Sequence, residues 1–561
     1  MMTVSNSRFG FACSDAEALD WASGSVSRMS LEEQIGQLLA PRAMSHYVGA
    51  DDPTHRALFE QVVRFHVGGF VFFQGEVFGQ AILADELQQA ARIPLLFSQD
   101  AEWGVGMRLF DATTFPNMMG IGASGMSELA YAVGRATAEE SKALGVRFVF
   151  APVADLNNNP ENPIINVRSF GEDPFAVADL VRALTRGLQD GGVLASVKHF
   201  PGHGDTATDS HAALPVLNVD KERLQRVELV PFRAAIDEGV ASVMVGHLAI
   251  PAIDPSGMPA TLSRPIVTGM LRDQLGYRGL LVSDAMEMNG VQQLFDPDEA
   301  AVRAVDAGLD LLLTPPDVEA AFVGIRDAVR SGRLTADRIA DSARRVLAAK
   351  ALVGLTTRPD PEINKVRSTV STAAHRQTAL EIARKTIVVD GPESLPINRD
   401  ELPFFLTLSD SGEETSVGVR LRDHVRLESS GPLHHAFVAA EPCRERIESV
   451  LDRTQRHETI VAAAYVSVRS YSGRIGLPEV HSSLLNELAR QGKRIVLLCM
   501  GSPYVVMSLA ERPECTLFAF GSSESVQTAV AEVLLGEQKA TASLPITIPG
   551  FAPRRDAGSD A

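Results

Sequence analysis

Residues 197–211 read VKHFPGHGDTATDSH, which puts three of the chain's 13 histidines, two aspartates and a lysine in one short stretch. Side chains of these types can ligate a metal, move protons or hold a polar ligand. Pro201, Gly202 and Gly204 exclude a regular helix here, so His199, His203 and His211 are not ligands stacked on one helical face. A loop must hold them. His203, Asp209 and His211 could form the ligand set of a metal hydrolase, but no second His/Cys cluster in the sequence supports that reading.

Other polar residues recur at the ends of apolar runs. The first 355 residues contain eight such runs, at 37–41, 67–73, 93–100, 148–156, 193–200, 242–250, 279–286 and 309–315. Most are apolar at successive positions, as in parallel strands covered on both faces. Amphipathic patterns at 127–144, 175–190, 264–276 and 336–353 lie between or after them, and Pro231 divides the pattern over 220–238 into a kinked helix or two short ones. Eight β/α repeats predict a TIM-type (β/α)8 barrel, with an open doubly wound sheet as the structural alternative. In a barrel, reactive groups belong where strands end. Asp100 ends the third run, Asp155 lies near the end of the fourth, Lys198 and His199 end the fifth, His247 lies late in the sixth and Asp284 ends the seventh.

These runs divide the chain into a lead-in over 1–30, a barrel over 31–355, a polar linker over 356–376, a smaller α/β sandwich over 377–551 and a disordered tail over 552–561. The net charge of −18, from 52 basic and 70 acidic residues, argues against a nucleic-acid partner. No run of 18 apolar residues spans a membrane, and the N-terminus lacks the basic start and apolar stretch of a signal peptide. Cys13, Cys443, Cys499 and Cys515 form no C-x-x-C pair, as expected of reduced thiols in a cytoplasmic protein.

KHFPGHGDTATDSH together with RGLLVSDAMEM resembles glycoside hydrolase family 3 in its β-N-acetylglucosaminidase branch. SQDAEWGVGMRL and NNNPENPIINVRSFGEDP look like that family's other sugar-contacting loops, and the second region resembles its α/β sandwich more loosely. The resemblance implies a retaining exo-β-N-acetylglucosaminidase that acts through a glycosyl-enzyme on GlcNAc-containing oligosaccharides or glycoconjugates, peptidoglycan fragments among them. It implies Asp284 as nucleophile, His211 as acid/base backed by Asp209, and Asp100, Arg168, Lys198, His199 and His203 as ligands of the sugar hydroxyls. It implies neither cofactor nor metal. A β-glucosidase or GlcNAc phosphorylase of the same family, and a non-catalytic sugar-binding protein on the same fold, are the alternatives.

Overall fold

The computed structural model describes residues 16–210, 213–359, 363–466 and 475–551. His211, the 552–561 tail and the first half of the 1–30 lead-in lie outside the described residues. The chain divides into two compact units, and the division is not sequential: residues 115–126 and 157–173 group with 376–561, and the rest forms the first unit. The 31–355 span expected for the barrel takes in both of these segments. Arg168 belongs to the 157–173 segment.

The first unit is a curled parallel sheet with helices between its strands. Strands β2 (Arg42–Ser45), β3 (Gly69–Gly75), β4 (Leu96–Gln99), β5 (Phe148–Val149), β6 (Leu194–Phe200), β7 (Ser242–Val245) and β8 (Leu280–Ser283) lie in chain order, all parallel. A parallel pair, β1 (Leu39–Ala40) with β9 (Leu312–Leu313), completes the ring. On one side Leu311 bridges to Val282 of β8, and on the other the Gly68 and Val71 N–H groups donate to the Leu39 and Pro41 carbonyls. β1 and β2 are one barrel strand interrupted at Pro41, which has no N–H to give the ladder.

Several strands are shorter than the apolar runs. The 148–156 run keeps only Phe148 and Val149 in the ladder, because Pro152 breaks it; the chain stays extended, and Lys198 N–H and O bond Pro152 O and Ala154 N. The 242–250 run leaves the sheet after Val245, and Ala249 pairs instead with the loop at Pro215 and Leu217. The 220–238 pattern resolves into two helices, Lys221–Arg226 and Leu229–Asp237. Pro231 falls in the first turn of the second, where its missing N–H would have no intrahelical acceptor. The 356–376 linker is partly helical: Ile363–Thr369 turns Val366 and Val370, four residues apart, into an apolar cluster with Val77, Val105 and Leu109.

The second unit is built on one mixed sheet in the order β10 (Val388–Asp390), β15 (Cys515–Phe518), β14 (Arg494–Cys499), β13 (Thr459–Tyr465), β11 (Phe404–Ser409) and β12 (His435–Val438). Only β10 runs antiparallel to its neighbour. Alternate residues fill two cores: Leu406, Ala462 and Leu497 face one, and Phe405, Val461 and Val496 the other. Both faces are therefore covered, which accounts for the continuous apolar runs.

One buried charge in the first unit stands apart from the mouth of the barrel. Lys350, in the helix Ala336–Leu352 capped by Thr335, is fully buried and donates to Gln37 Oε1 at 2.5 Å. Burial pushes its pKa down to about 7 from an ordinary 10.5. The unfolded chain then binds this proton more tightly than the folded one, so stability should rise as pH climbs from about 7 to about 10.5. Lys350→Met is expected to raise stability by about 2–4 kcal/mol below neutral pH, after the lost Gln37 bond, with the gain fading toward pH ~10. Urea unfolding of both proteins across that range checks it; a constant difference would contradict the burial argument.

Candidate active site

Strand alternation aims three of the expected residues at one place. Leu96, Leu194, Leu280 and Val282 lie in one apolar cluster inside the sheet. Counting on by twos from them reaches Asp100, Lys198 and Asp284, just past or at the C-terminal ends of β4, β6 and β8. The three thus project from the inner face at the mouth.

Lys198 is buried, and its ammonium sits 2.7 Å from Asp100 Oδ1 and 2.6 Å from Glu102 Oε1. Arg108 Nη2 reaches Asp100 Oδ2 at 2.5 Å, and its guanidinium carbon lies 4.8 Å from the centre of the Phe73 ring. Burial pushes the Asp100 carboxyl up, but Lys198 and Arg108 more than offset it and hold the group well below the usual carboxylate range. Two cations and two anions therefore balance around a lysine with almost no solvent contact. Glu102 and Arg108 were missed in the sequence reading; the signal available was three further charges, counting Asp100, within one nine-residue βα loop.

Asp155 organises the histidine loop. It is fully buried, and it accepts from the His199 N–H at 3.3 Å, from the His203 N–H at 2.7 Å and from His199 Nδ1 at 2.7 Å. Burial raises its pKa, but His199 and these hydrogen bonds bring it below the ordinary value. The glycines let the loop close around it. A Cβ on Gly204 would stand 1.6 Å from Leu156 O, and Gly202 has φ +126°. His203 is buried as well, and desolvation takes its pKa down to about 4, so the ring is neutral at neutral pH. Its Nδ1 lies 2.8 Å from Thr206 Oγ1, whose hydroxyl donates to the His203 carbonyl. Nδ1 is then the donor in that contact.

The Glycosyl hydrolase family 3 N terminal domain matches residues 30–349, and the Glycosyl hydrolase family 3 C-terminal domain matches 289–556. The chain belongs to glycoside hydrolase family 3. A protein of Pseudoalteromonas piscicida named beta-hexosaminidase A is 28% identical, over 88% of this chain and 91% of its own. A beta-N-acetylglucosaminidase/beta-glucosidase of Cellulomonas fimi is also 28% identical, over 95% and 96%. The solved family 3 beta-N-acetylglucosaminidase of Paenibacillus sp. str. FPU-7 superposes with a TM-score of 0.82 at 31% identity, covering 93% of this chain and all of that one.

In this family 3 chain Asp284 is half-buried and doubly tethered. Its N–H donates to Val245 O at 2.9 Å, extending the β7–β8 ladder, and its Oδ1 accepts from the Ala285 N–H at 2.8 Å. His247 braces the next peptide: fully buried, it donates from Nε2 to Ala285 O at 2.9 Å while Thr261 Oγ1 stands 2.7 Å from Nδ1. Asp209 is buried, and the neighbouring Ser210 carbonyl accepts from the Gly290 N–H at 3.2 Å. Arg168, in the 157–173 segment of the second unit, donates from Nη1 to Ile164 O at 3.0 Å. Among the described residues no three His, Cys, Asp or Glu side chains converge as a metal site, and no helix is long and apolar enough to cross a membrane.

Removing the ammonium of Lys198 strands the carboxylates it joins. Lys198→Met is expected to destabilise the protein by about 3–5 kcal/mol, because a charge left buried without its partner is far more costly than the intact pair. Adding Glu102→Gln should recover part of the loss. Equilibrium unfolding of the single and double variants tests this, and a double variant weaker than the single one would show that Glu102 is held by other groups.

Proposed function

We propose that this glycoside hydrolase removes terminal β-linked GlcNAc by double displacement, with Asp284 as nucleophile and His211, backed by Asp209, as acid/base. The observation that carries the reading is the placement of Asp284 beside the loop that leads to His211. Asp284 is held at the mouth by its own backbone tethers, and the segment that follows it is hydrogen-bonded through Gly290 to Ser210, the residue between Asp209 and His211. A carboxylate and a proton donor on two joined loops match the two groups a retaining glycosidase needs.

In the first step Asp284 attacks the anomeric carbon, the bond to the aglycone oxygen breaks, and His211 gives that oxygen a proton. In the second, His211 takes a proton from water, which attacks the same carbon and frees Asp284. Asp209 stabilises the imidazolium that enters the first step and is formed again in the second. Lys198, Asp100, His199, His203 and Arg168 are assigned to the sugar hydroxyls, where charge-assisted hydrogen bonds give the strongest discrimination. The names of the relatives support GlcNAc as the preferred sugar, and the dual name of the Cellulomonas fimi protein makes glucose the first competitor to measure. The reading extends to a cytoplasmic enzyme acting on GlcNAc conjugates from peptidoglycan recycling; Cys443 and Cys499 are free thiols, which suits a reducing compartment.

Asp284→Ala is expected to lower turnover of aryl N-acetyl-β-glucosaminides by more than about a thousandfold without changing the unfolding midpoint. A 5-fluoro glycosyl reagent should leave its label, by mass spectrometry of a digest, on the peptide containing residues 279–286. Label on another carboxylate, or inversion at the anomeric carbon, would refute the assignment, and a panel that includes aryl β-glucosides reads the sugar preference directly.

A further inference from the structure

The loop that carries His203 and leads to Asp209 and His211 is fastened at one charged point outside the mouth. Arg223, in the helix Lys221–Arg226, places Nη2 2.6 Å from Asp205 Oδ2 on the loop and 3.2 Å from Glu228 Oε1. Glu228 is only 3% exposed, and neither of its oxygens takes part in a hydrogen bond; Arg223 meets it as an ion pair without hydrogen-bond geometry. A buried carboxylate in that condition is expensive, and burial accordingly raises its pKa against the pull of Arg223. Its place is also fixed by the loop: a Cβ on Gly202 would stand 3.0 Å from Glu228 Cβ, and that glycine has φ +126°.

A charge kept under the loop at such expense has to do something besides stabilise the fold. Among the described residues its carboxylate meets one cation, Arg223, and the Arg223 guanidinium meets one other carboxylate, Asp205. We propose that Arg223 is a positioning residue, clamped between Glu228 beneath the loop and Asp205 upon it, that holds the loop in the register from which the acid/base pair serves the leaving group. The inference rests on the acid/base reading of His211. Asp205 lies six positions before His211 and four before Asp209 in the chain, so releasing it lets the pair drift without altering either residue. Misplacement of a general acid is felt chiefly by leaving groups that cannot depart unprotonated.

The test compares kcat/KM, which reports the steps through glycosylation, for N,N′-diacetylchitobiose and for 4-nitrophenyl N-acetyl-β-glucosaminide. Arg223→Met should lose about tenfold or more on chitobiose and less than about threefold on the activated aryl glycoside, with an unchanged unfolding midpoint. Arg223→Lys should recover part of the loss. Asp205→Asn should show the same selectivity, and the double variant should be no worse than either single one, as for two halves of one contact. Equal losses on both substrates, no loss, or additive losses overturn the clamp. His211→Ala, measured in parallel, separates the two readings: a selective loss there without one in Arg223→Met overturns the clamp alone, and an even loss there overturns the acid assignment and the clamp with it.

Discussion

The site depends first on a carboxylate that never reaches solvent. Asp155 accepts two backbone N–H groups and one imidazole N–H from the stretch 199–203. An aspartate in that position cannot remain charged unless its lone pairs are filled, and the stretch cannot leave its donors unfilled once buried. Each requirement meets the other. The result is a turn whose path is dictated from beneath, with Gly204 pressed onto Leu156 O so closely that no side chain fits between. The histidines at the mouth are consequences of that anchoring, since His199 is held through its ring and His203 through its backbone.

Around the turn, buried charges are matched by partners of opposite sign or kept neutral. Lys198 and Arg108 balance the charges of Asp100 and Glu102. His203 is kept neutral by burial, and His247 is occupied at both nitrogens by Thr261 and Ala285. Asp284 is different in kind. Its fixed contacts include two from the backbone, the Ala285 N–H to its carboxylate and the link from its own N–H to Val245. These backbone bonds orient the Asp284 carboxylate, whereas Asp100 is pinned by two cations.

How much of this could be read in the sequence follows from the range over which each signal acts. The barrel was legible because buried parallel strands write themselves as apolar runs, and Asp100, Lys198 and Asp284 were legible because each ends such a run. Strand length was not, because Pro41 and Pro152 remove ladder donors while leaving the apolar pattern intact. Asp155 was legible only as a polar residue near the end of an apolar run, since its importance lies in donors 44 and 48 positions away. Glu102 and Arg108 carried a local signal, three charges in one loop, but only Lys198 across the sheet gives it meaning. The helix at Ile363–Thr369 was hidden by a polar stretch in which two valines do the packing.

The 157–173 segment shows the same limit at the scale of domains. It interrupts the first unit between Leu156 and Pro174 in the chain, yet it is tied to the rest of the second: Asn157 Nδ2 donates to Tyr504 Oη at 2.6 Å, Asn166 Nδ2 to Ser502 Oγ at 3.2 Å, and Thr547 Oγ1 to Glu172 Oε1 at 2.6 Å. Gly171 meets Pro545 so closely that a Cβ there would stand 2.6 Å from its carbonyl oxygen. Tyr504 is itself buried, so the Asn157 bond satisfies a hydroxyl that has no access to bulk water. The segment that carries Arg168 therefore owes its conformation to residues more than 300 positions further along the chain. The second unit supplies the rigid partners without which this long polar insertion would have no single conformation.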